Sequence, residues 1–196
     1  MTALQEYYSY FINSRQILTD FTFPAEHCFP SVDYGEPCNT LDSPYIGACS
    51  YDAAYKSLTQ IYYGTKLAAG YAIPSNLKSF DQTPYFSGLS TSIGDVGYIY
   101  IPTACAAMGP CKLHIAYHGC LQTLDDIGNA FAANAGYNSW AEANNIIVVY
   151  PYTIKNSRLG NPNGCWDWWG YTTANYAYKT GDQMLFSKRI IDALIK

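Results

Sequence analysis

The spacing of apolar residues changes several times along this chain, and each change marks an element. Leu4, Tyr7, Tyr8 and Phe11 recur at helical spacing, and after Asn13 and Ser14 the run Ile17 to Phe23 is rich in β-formers. A helix feeding a strand is predicted there. Ala54, Leu58, Ile61 and Tyr62 share the face of a second helix within Tyr51 to Tyr62, which Gly64 ends. From Tyr98 the chain reads GYIYIP, then KLHIAYHG, then a helical region from about Ile127 to Ala143, then IIVVYP. This predicts strand, strand, helix, strand. Ile115 to Tyr117 and Ile146 to Tyr150 are near-continuous apolar runs, the pattern of strands buried on both faces of a parallel sheet. The final stretch places Met184, Leu185, Ile190, Ile191 and Leu194 on one helical face behind Asp182 as a cap. Strands alternating with helices give an α/β fold class.

Residues 28 to 51 are rich in Pro, Gly, Cys and Ser, and predict an ordered surface loop pinned by a Cys38–Cys49 bridge. With 196 residues, 49% of them hydrophobic, the chain reads as one domain over 1–196 with a real core. Only 13% of residues are charged against about 25% in an average soluble domain, so Tyr, Ser, Thr, Asn and Gln must build much of the surface. A net charge of -4 with no basic block argues against binding nucleic acid or an anionic membrane. No apolar run reaches the roughly 18 residues that span a bilayer.

Seven cysteines sharpen this picture. Cys38 with Cys49 and Cys105 with Cys111 are close pairs, while Cys28, Cys120 and Cys165 stand apart. No C-x-x-C metal pattern occurs and no cofactor is implied. Short cysteine-closed loops suit an oxidising, extracellular setting. The first residues, MTALQEYYSYFINSRQ, lack the basic and apolar regions of a signal peptide, so a secreted protein beginning here would be missing a segment.

The chemistry concentrates in LHIAYHGC, residues 113 to 120, where an apolar strand runs into His-Gly and then a helical segment. His-Gly alone is often only a strand end. The longer runs HGCLQTLDDIGNAFAANAGYNSWAEANNIIVVYP and NPNGCWDWWG, with GYIYIPTAC, CKLHIAYHGC and SPYIGACSYDAA upstream, resemble the extracellular poly(3-hydroxybutyrate) depolymerases and related esterases over nearly the whole chain. The resemblance implies an α/β-hydrolase-like three-layer sandwich and a serine-esterase mechanism on a polyester or short-chain ester.

It also implies roles. His27, in TFPAEHCFP, matches the family's catalytic histidine in a motif like H-x-F-P. Cys120 matches the residue whose main-chain N–H faces the oxyanion, with its sulfur bridged to Cys165. Trp168 matches a substrate-contact position and Trp166 stands beside it as a second substrate-binding candidate, though tryptophans this dense also suit a core. His114 and His118 are expected to be structural, His118 by orienting the turn. Cys28 is left odd, as a free thiol.

A serine hydrolase needs a nucleophile on a strand-turn-helix elbow, G-x-S-x-G. Only Gly88-Leu89-Ser90-Thr91-Ser92 comes near, and Ser90 has neither a central strand before it nor a helix after it. A histidine placed first fits the circularly permuted members of the family, whose serine and aspartate lie further upstream. The expectation is therefore a partial domain, lacking the nucleophile strand and inactive alone. The competing reading is a non-catalytic polymer- or carbohydrate-binding module that uses the tryptophan loop.

Overall fold

The computed structural model describes residues 2–87, 91–107 and 109–195. In chain order its elements are α1 (Thr2–Ser9), β1 (Phe29–Ser31), β2 (Glu36–Pro37), β3 (Ile46–Ala48), α2 (Ala53–Ile61), β4 (Leu77–Asp81), β5 (Val96–Tyr100), α3 (Thr103–Ala106), β6 (Lys112–Ile115), α4 (Leu124–Ile127), α5 (Ala130–Asn134), α6 (Tyr137–Asn144), β7 (Ile146–Tyr150) and α7 (Asp182–Leu194).

A four-stranded sheet in the order β4-β5-β7-β6 forms the middle layer. β6 and β7 are parallel, whereas β5 runs antiparallel to both β4 and β7, so the sheet is mixed rather than wholly parallel. β7 shows why its sequence is almost continuously apolar. Ile146, Val148 and Tyr150 pack into the core that holds α2, α5 and α6, while Ile147 and Val149 face the cluster of Phe186 and Ile190 on α7. Alternate side chains thus serve opposite faces, and helices cover both.

β6 differs from expectation. It lies at the start of the expected strand KLHIAYHG but spans only Lys112–Ile115, so the apolar run Ile115 to Tyr117 falls mostly beyond it, and none of its residues is fully buried. It is the last strand of the sheet, with no strand pairing its outer edge among the described residues. There the Tyr62 hydroxyl donates to the Leu113 carbonyl at 3.2 Å, closing one backbone position.

Other departures have local causes. Ile17 to Phe23 is not a strand: a 3-10 turn at Ser14–Gln16 leads into irregular chain, because a strand needs a neighbour to bond and none lies beside it. Phe23 stacks on Tyr51 at 4.2 Å, but Leu18 and Phe21 are exposed. The predicted helix from Ile127 to Ala143 is three short helices, α4 to α6, separated where Gly128 (φ 57°) and Gly136 (φ 90°) take left-handed backbone. The loop at residues 28 to 51 contains a small parallel sheet in the order β1-β3-β2, seated on the core through the fully buried Ile46. On α7 the buried residues are Gln183, Phe186 and Ile190, while Met184 and Leu194 are 49% and 40% exposed. Gly181, not Asp182, is its N-cap. α2 (Ala53–Ile61) lies within the predicted stretch Tyr51 to Tyr62, capped by Asp52, whose carboxylate accepts from Tyr55 N–H at 2.7 Å. α1 buries nothing.

Candidate functional site

β6 delivers the chain to the C-terminal end of the sheet, where Tyr117 to Gln122 make a tight turn before α4. The turn is held from several sides. Gly119 N–H donates to Gln122 Oε1 at 2.6 Å, and Gln122 Nε2 donates to the carbonyls of Pro44 (2.9 Å) and Tyr45 (3.2 Å), which fastens the turn to the loop before β3. Leu121 N–H donates to Asn163 O at 2.8 Å, and Cys120 is bonded to Cys165, 45 residues away. The Cys120 N–H has no acceptor among the described residues.

Behind the turn His118 is 3% exposed. Its Nδ1 lies 2.7 Å from Gly119 O and its Nε2 3.1 Å from Thr153 N, with the ring stacked on Tyr152 at 5.0 Å. Burial pushes its pKa down to about 4, against smaller upward pulls from the Gly119 carbonyl and from Asp126. It is therefore neutral near pH 7. His114, on β6, packs against Tyr137 at 5.2 Å and is likewise lowered to about 4 by burial.

In front of the turn is an open pocket of about 670 Å³. Its walls come from three segments distant in sequence: His27, Cys28 and Phe29; Leu41 and Tyr45; and Tyr117 to Gln122. His27 and Cys120 thus share one pocket, at the same end of the sheet. His27 is exposed, and neither ion pair among the described residues, Lys155–Asp126 or Lys188–Asp192, involves it. Cys28 carries the one free thiol, pushed up in pKa by burial and by Glu26, while Cys38–Cys49, Cys105–Cys111 and Cys120–Cys165 are disulfides.

The tryptophans divide. Trp168 is 71% exposed and lines a second pocket of about 490 Å³ with Cys120, Asn161, Pro162, Cys165 and Trp169. Cys120 therefore stands on the wall between the two pockets. Trp166 lines neither: it packs against Tyr117 at 4.9 Å, His118 at 5.7 Å and Phe186 at 6.4 Å, and its indole N–H is buried without a partner among the described residues. The loop is braced by Asp167, which accepts hydrogen bonds from the N–H groups of Gly170 (2.6 Å), Tyr171 (3.0 Å) and Thr172 (2.9 Å). Ser90 lies outside the described residues. No helix among the described residues is long and apolar enough to cross a membrane, and no cluster of potential metal ligands occurs among them.

No family model matches the chain. It is 39% identical over 198 residues to a poly(3-hydroxybutyrate) depolymerase of Delftia acidovorans, covering 98% of this chain and 38% of that protein. A polyhydroxybutyrate depolymerase of Talaromyces funiculosus is 37% identical over 199 residues, covering 94% of this chain and 58% of its own length. The crystal structure of a PHB depolymerase from Penicillium funiculosum superposes with a TM-score of 0.87 at 35% identity, over 97% of this chain and 64% of that one. The chain is thus similar to polyhydroxybutyrate depolymerases over nearly its whole length. A second solved structure, a PHB depolymerase complexed with an R3HB trimer, matches 85% of this chain and 56% of its own with a TM-score of 0.76 at 38% identity. The chain thus spans 38% and 58% of the lengths of the two curated relatives, and the three disulfides fit a protein of an oxidising compartment.

Several residues that shape this site escape sequence reasoning. Leu41 and Tyr45 line the pocket from a loop that reads only as a disulfide-pinned turn. Gln122 reaches carbonyls 77 and 78 residues away, which no local pattern announces. Asn161 is fully buried and staples the second pocket by exchanging two hydrogen bonds with the Cys165 backbone, at 2.8 and 2.9 Å. Its position in Asn-Pro-Asn-Gly was the available signal, since Asn before Pro favours turns.

Proposed function

We propose that this chain supplies the general base and one oxyanion donor of a secreted carboxylic ester hydrolase acting on a poly(3-hydroxybutyrate)-type polyester. The observation that carries the reading is the meeting of His27 and the unengaged Cys120 N–H in one pocket. As a neutral ring, His27 takes the proton of an attacking serine hydroxyl, and later returns it to the leaving alcohol. The Cys120 N–H donates to the oxygen that becomes negative as the ester carbonyl turns tetrahedral. Trp168 offers an apolar shelf to the methyl and methylene groups of the polymer.

The serine and the aspartate that orients His27 belong, in this reading, to residues these 196 do not include. The open outer edge of β6 supports that view. A parallel strand laid along it would end beside the Tyr117 to Gln122 turn, where a nucleophile elbow has to stand. The histidine then precedes the oxyanion strand, which makes the hydrolase order circularly permuted.

The test is complementation. The chain alone leaves p-nitrophenyl butyrate intact, while the chain mixed with or fused to the preceding segment of the Delftia acidovorans relative hydrolyses it, and His27→Ala removes that activity. Hydrolysis by the chain alone that Ser90→Ala abolishes would overturn the division of labour. Reconstituted hydrolysis that survives His27→Ala would remove His27 from its role. One observation favours a second reading: Trp168 is largely exposed and in edge contact with Trp169 at 5.1 Å, as in a binding platform. Retention on polyester granules with no turnover after complementation would favour that binding module.

A further inference from the structure

We propose that His118 is the positioning residue of the oxyanion donor: its ring, held as the Nδ1–H tautomer, fixes the Gly119 carbonyl and so aims the Cys120 N–H of the same peptide group into the pocket. The proposal rests on the reading of the Cys120 N–H as that donor.

The tautomer follows from the neighbours. The Thr153 N–H donates to Nε2 at 3.1 Å, which requires a lone pair there. The Thr153 hydroxyl, 3.2 Å from the same nitrogen, spends its own proton on Gly164 O at 2.5 Å. The single ring proton therefore sits on Nδ1, which donates to Gly119 O at 2.7 Å.

The consequence follows from peptide planarity. The Gly119 carbonyl and the Cys120 N–H belong to one trans peptide group and point in opposite directions. Anchoring the oxygen on a buried ring behind the turn turns the N–H forward, to the side where Cys120 lines the pocket. Gln122 holds the other end of Gly119 through its N–H, so the intervening residue has little freedom left. Were the peptide to flip, a carbonyl oxygen would face the developing oxyanion, and the buried Nδ1–H would lose its acceptor.

Asn and Gln separate the two halves of the histidine's work. His118→Asn keeps an N–H donor near the Nδ1 position and gives up the contact to Thr153, whereas His118→Gln reaches the Nε2 position and gives up the donor to Gly119. In the ¹⁵N-labelled 196-residue chain, we expect a protonated Nδ1 and a bare Nε2 on His118. We expect the Cys120 amide resonance near its wild-type position in His118→Asn and displaced in His118→Gln, with the β7 amides of Val148 and Val149 unmoved in both. A bare Nδ1 in the wild-type chain overturns the proposal without any variant, so it remains decidable if His118→Gln does not fold. A Cys120 amide that stays in place in His118→Gln, or moves equally in both variants, overturns it too. These spectra need no turnover: failure of the complementation assay with the expected spectra would sink the esterase reading, and with it the oxyanion role, and leave standing only that His118 orients the Cys120 N–H.

Discussion

Acid should destabilise this chain in a window that ordinary carboxylates do not reach, and His118 should account for much of the loss. Its folded pKa of about 4 lies below the 6.5 of an unperturbed imidazole, because burial penalises the charged ring by more than the Gly119 carbonyl and Asp126 favour it. Between those two values the unfolded chain binds a proton that the folded chain refuses. The stabilisation is therefore complete above pH 6.5 and is lost as pH falls toward 4. At about pH 5 the difference amounts to about 2 kcal/mol for His118. His114 has the same pair of values but sits on the half-exposed edge strand, so its share is smaller, and the two together cost about 3 kcal/mol between about pH 7 and 5. That is a large part of the roughly 5–15 kcal/mol a domain holds. Burial pushes the carboxyls of Asp126, Asp167 and Glu142 up, but their hydrogen bonds outweigh it and hold all three below the ordinary value, so their stabilisation is lost only as pH falls below about 4. Urea midpoints measured at about pH 7.5, 6 and 5 should fall together for wild type, and the fall should shrink by about 2 kcal/mol in His118→Asn. Parallel losses in the two proteins across that window would refute the assignment.

Three further outcomes follow from the site. Trp166→Ala should cost about 3 kcal/mol of stability, as large-to-small changes in packed clusters do, while Trp168→Ala should change it by less than about 0.5 kcal/mol and act on retention by polyester granules instead; thermal melts and granule binding read the pair. Native alkylation without reductant should add one label per chain, at Cys28, faster as pH rises because burial and Glu26 raise its pKa; a second label in the intact mass would contradict the three disulfides. Replacing Cys120 and Cys165 together by serine should remove about 4 kcal/mol, the loop entropy of a 45-residue closure, and an unchanged denaturation midpoint would count against a bridge that constrains the unfolded chain.

What could be read from the sequence is what neighbours in sequence decide. β7 announced itself because every residue of Ile146 to Tyr150 is buried or nearly so, and α2 because Asp52 caps it and Ala54 and Leu58 share its core face. The breaks at Gly128 and Gly136 were visible as glycines, but a single glycine inside a helical pattern costs only about 1 kcal/mol and does not by itself end a helix. The small sheet in residues 28 to 51 was hidden, because strands of two or three residues carry no measurable alternation. α7 was misjudged in its face: Gln183 is buried through a hydrogen bond to Thr91 O at 2.8 Å, a contact 92 residues away that displaced Met184 from the core side.

The same division explains the site. His27 and Cys120 were reached through motifs on short stretches of chain, whereas the groups that hold them in register are distant from one another. Gln122 on the Pro44 carbonyl, Thr153 on His118 and the Cys120–Cys165 bridge all join segments whose only common property is their place in the fold. The strand predicted at Ile17 to Phe23 is the converse case. Its β-forming residues are intact, yet with no neighbour to bond it remains irregular, and Leu18 and Phe21 stay in water. β6 stands at the sheet's other unsatisfied position, half-buried along an edge that one tyrosine hydroxyl closes in part. An unpaired β-forming run and an open sheet edge share one physical cause, since ladder hydrogen bonds form only between paired strands. Under the proposed function, adding a strand along β6 should therefore do more than bring a hydroxyl to His27. It should also give the region before His27 a surface to order against, so that His27 and the Cys120 N–H, the base and oxyanion donor of the proposed function, gain their rigidity together.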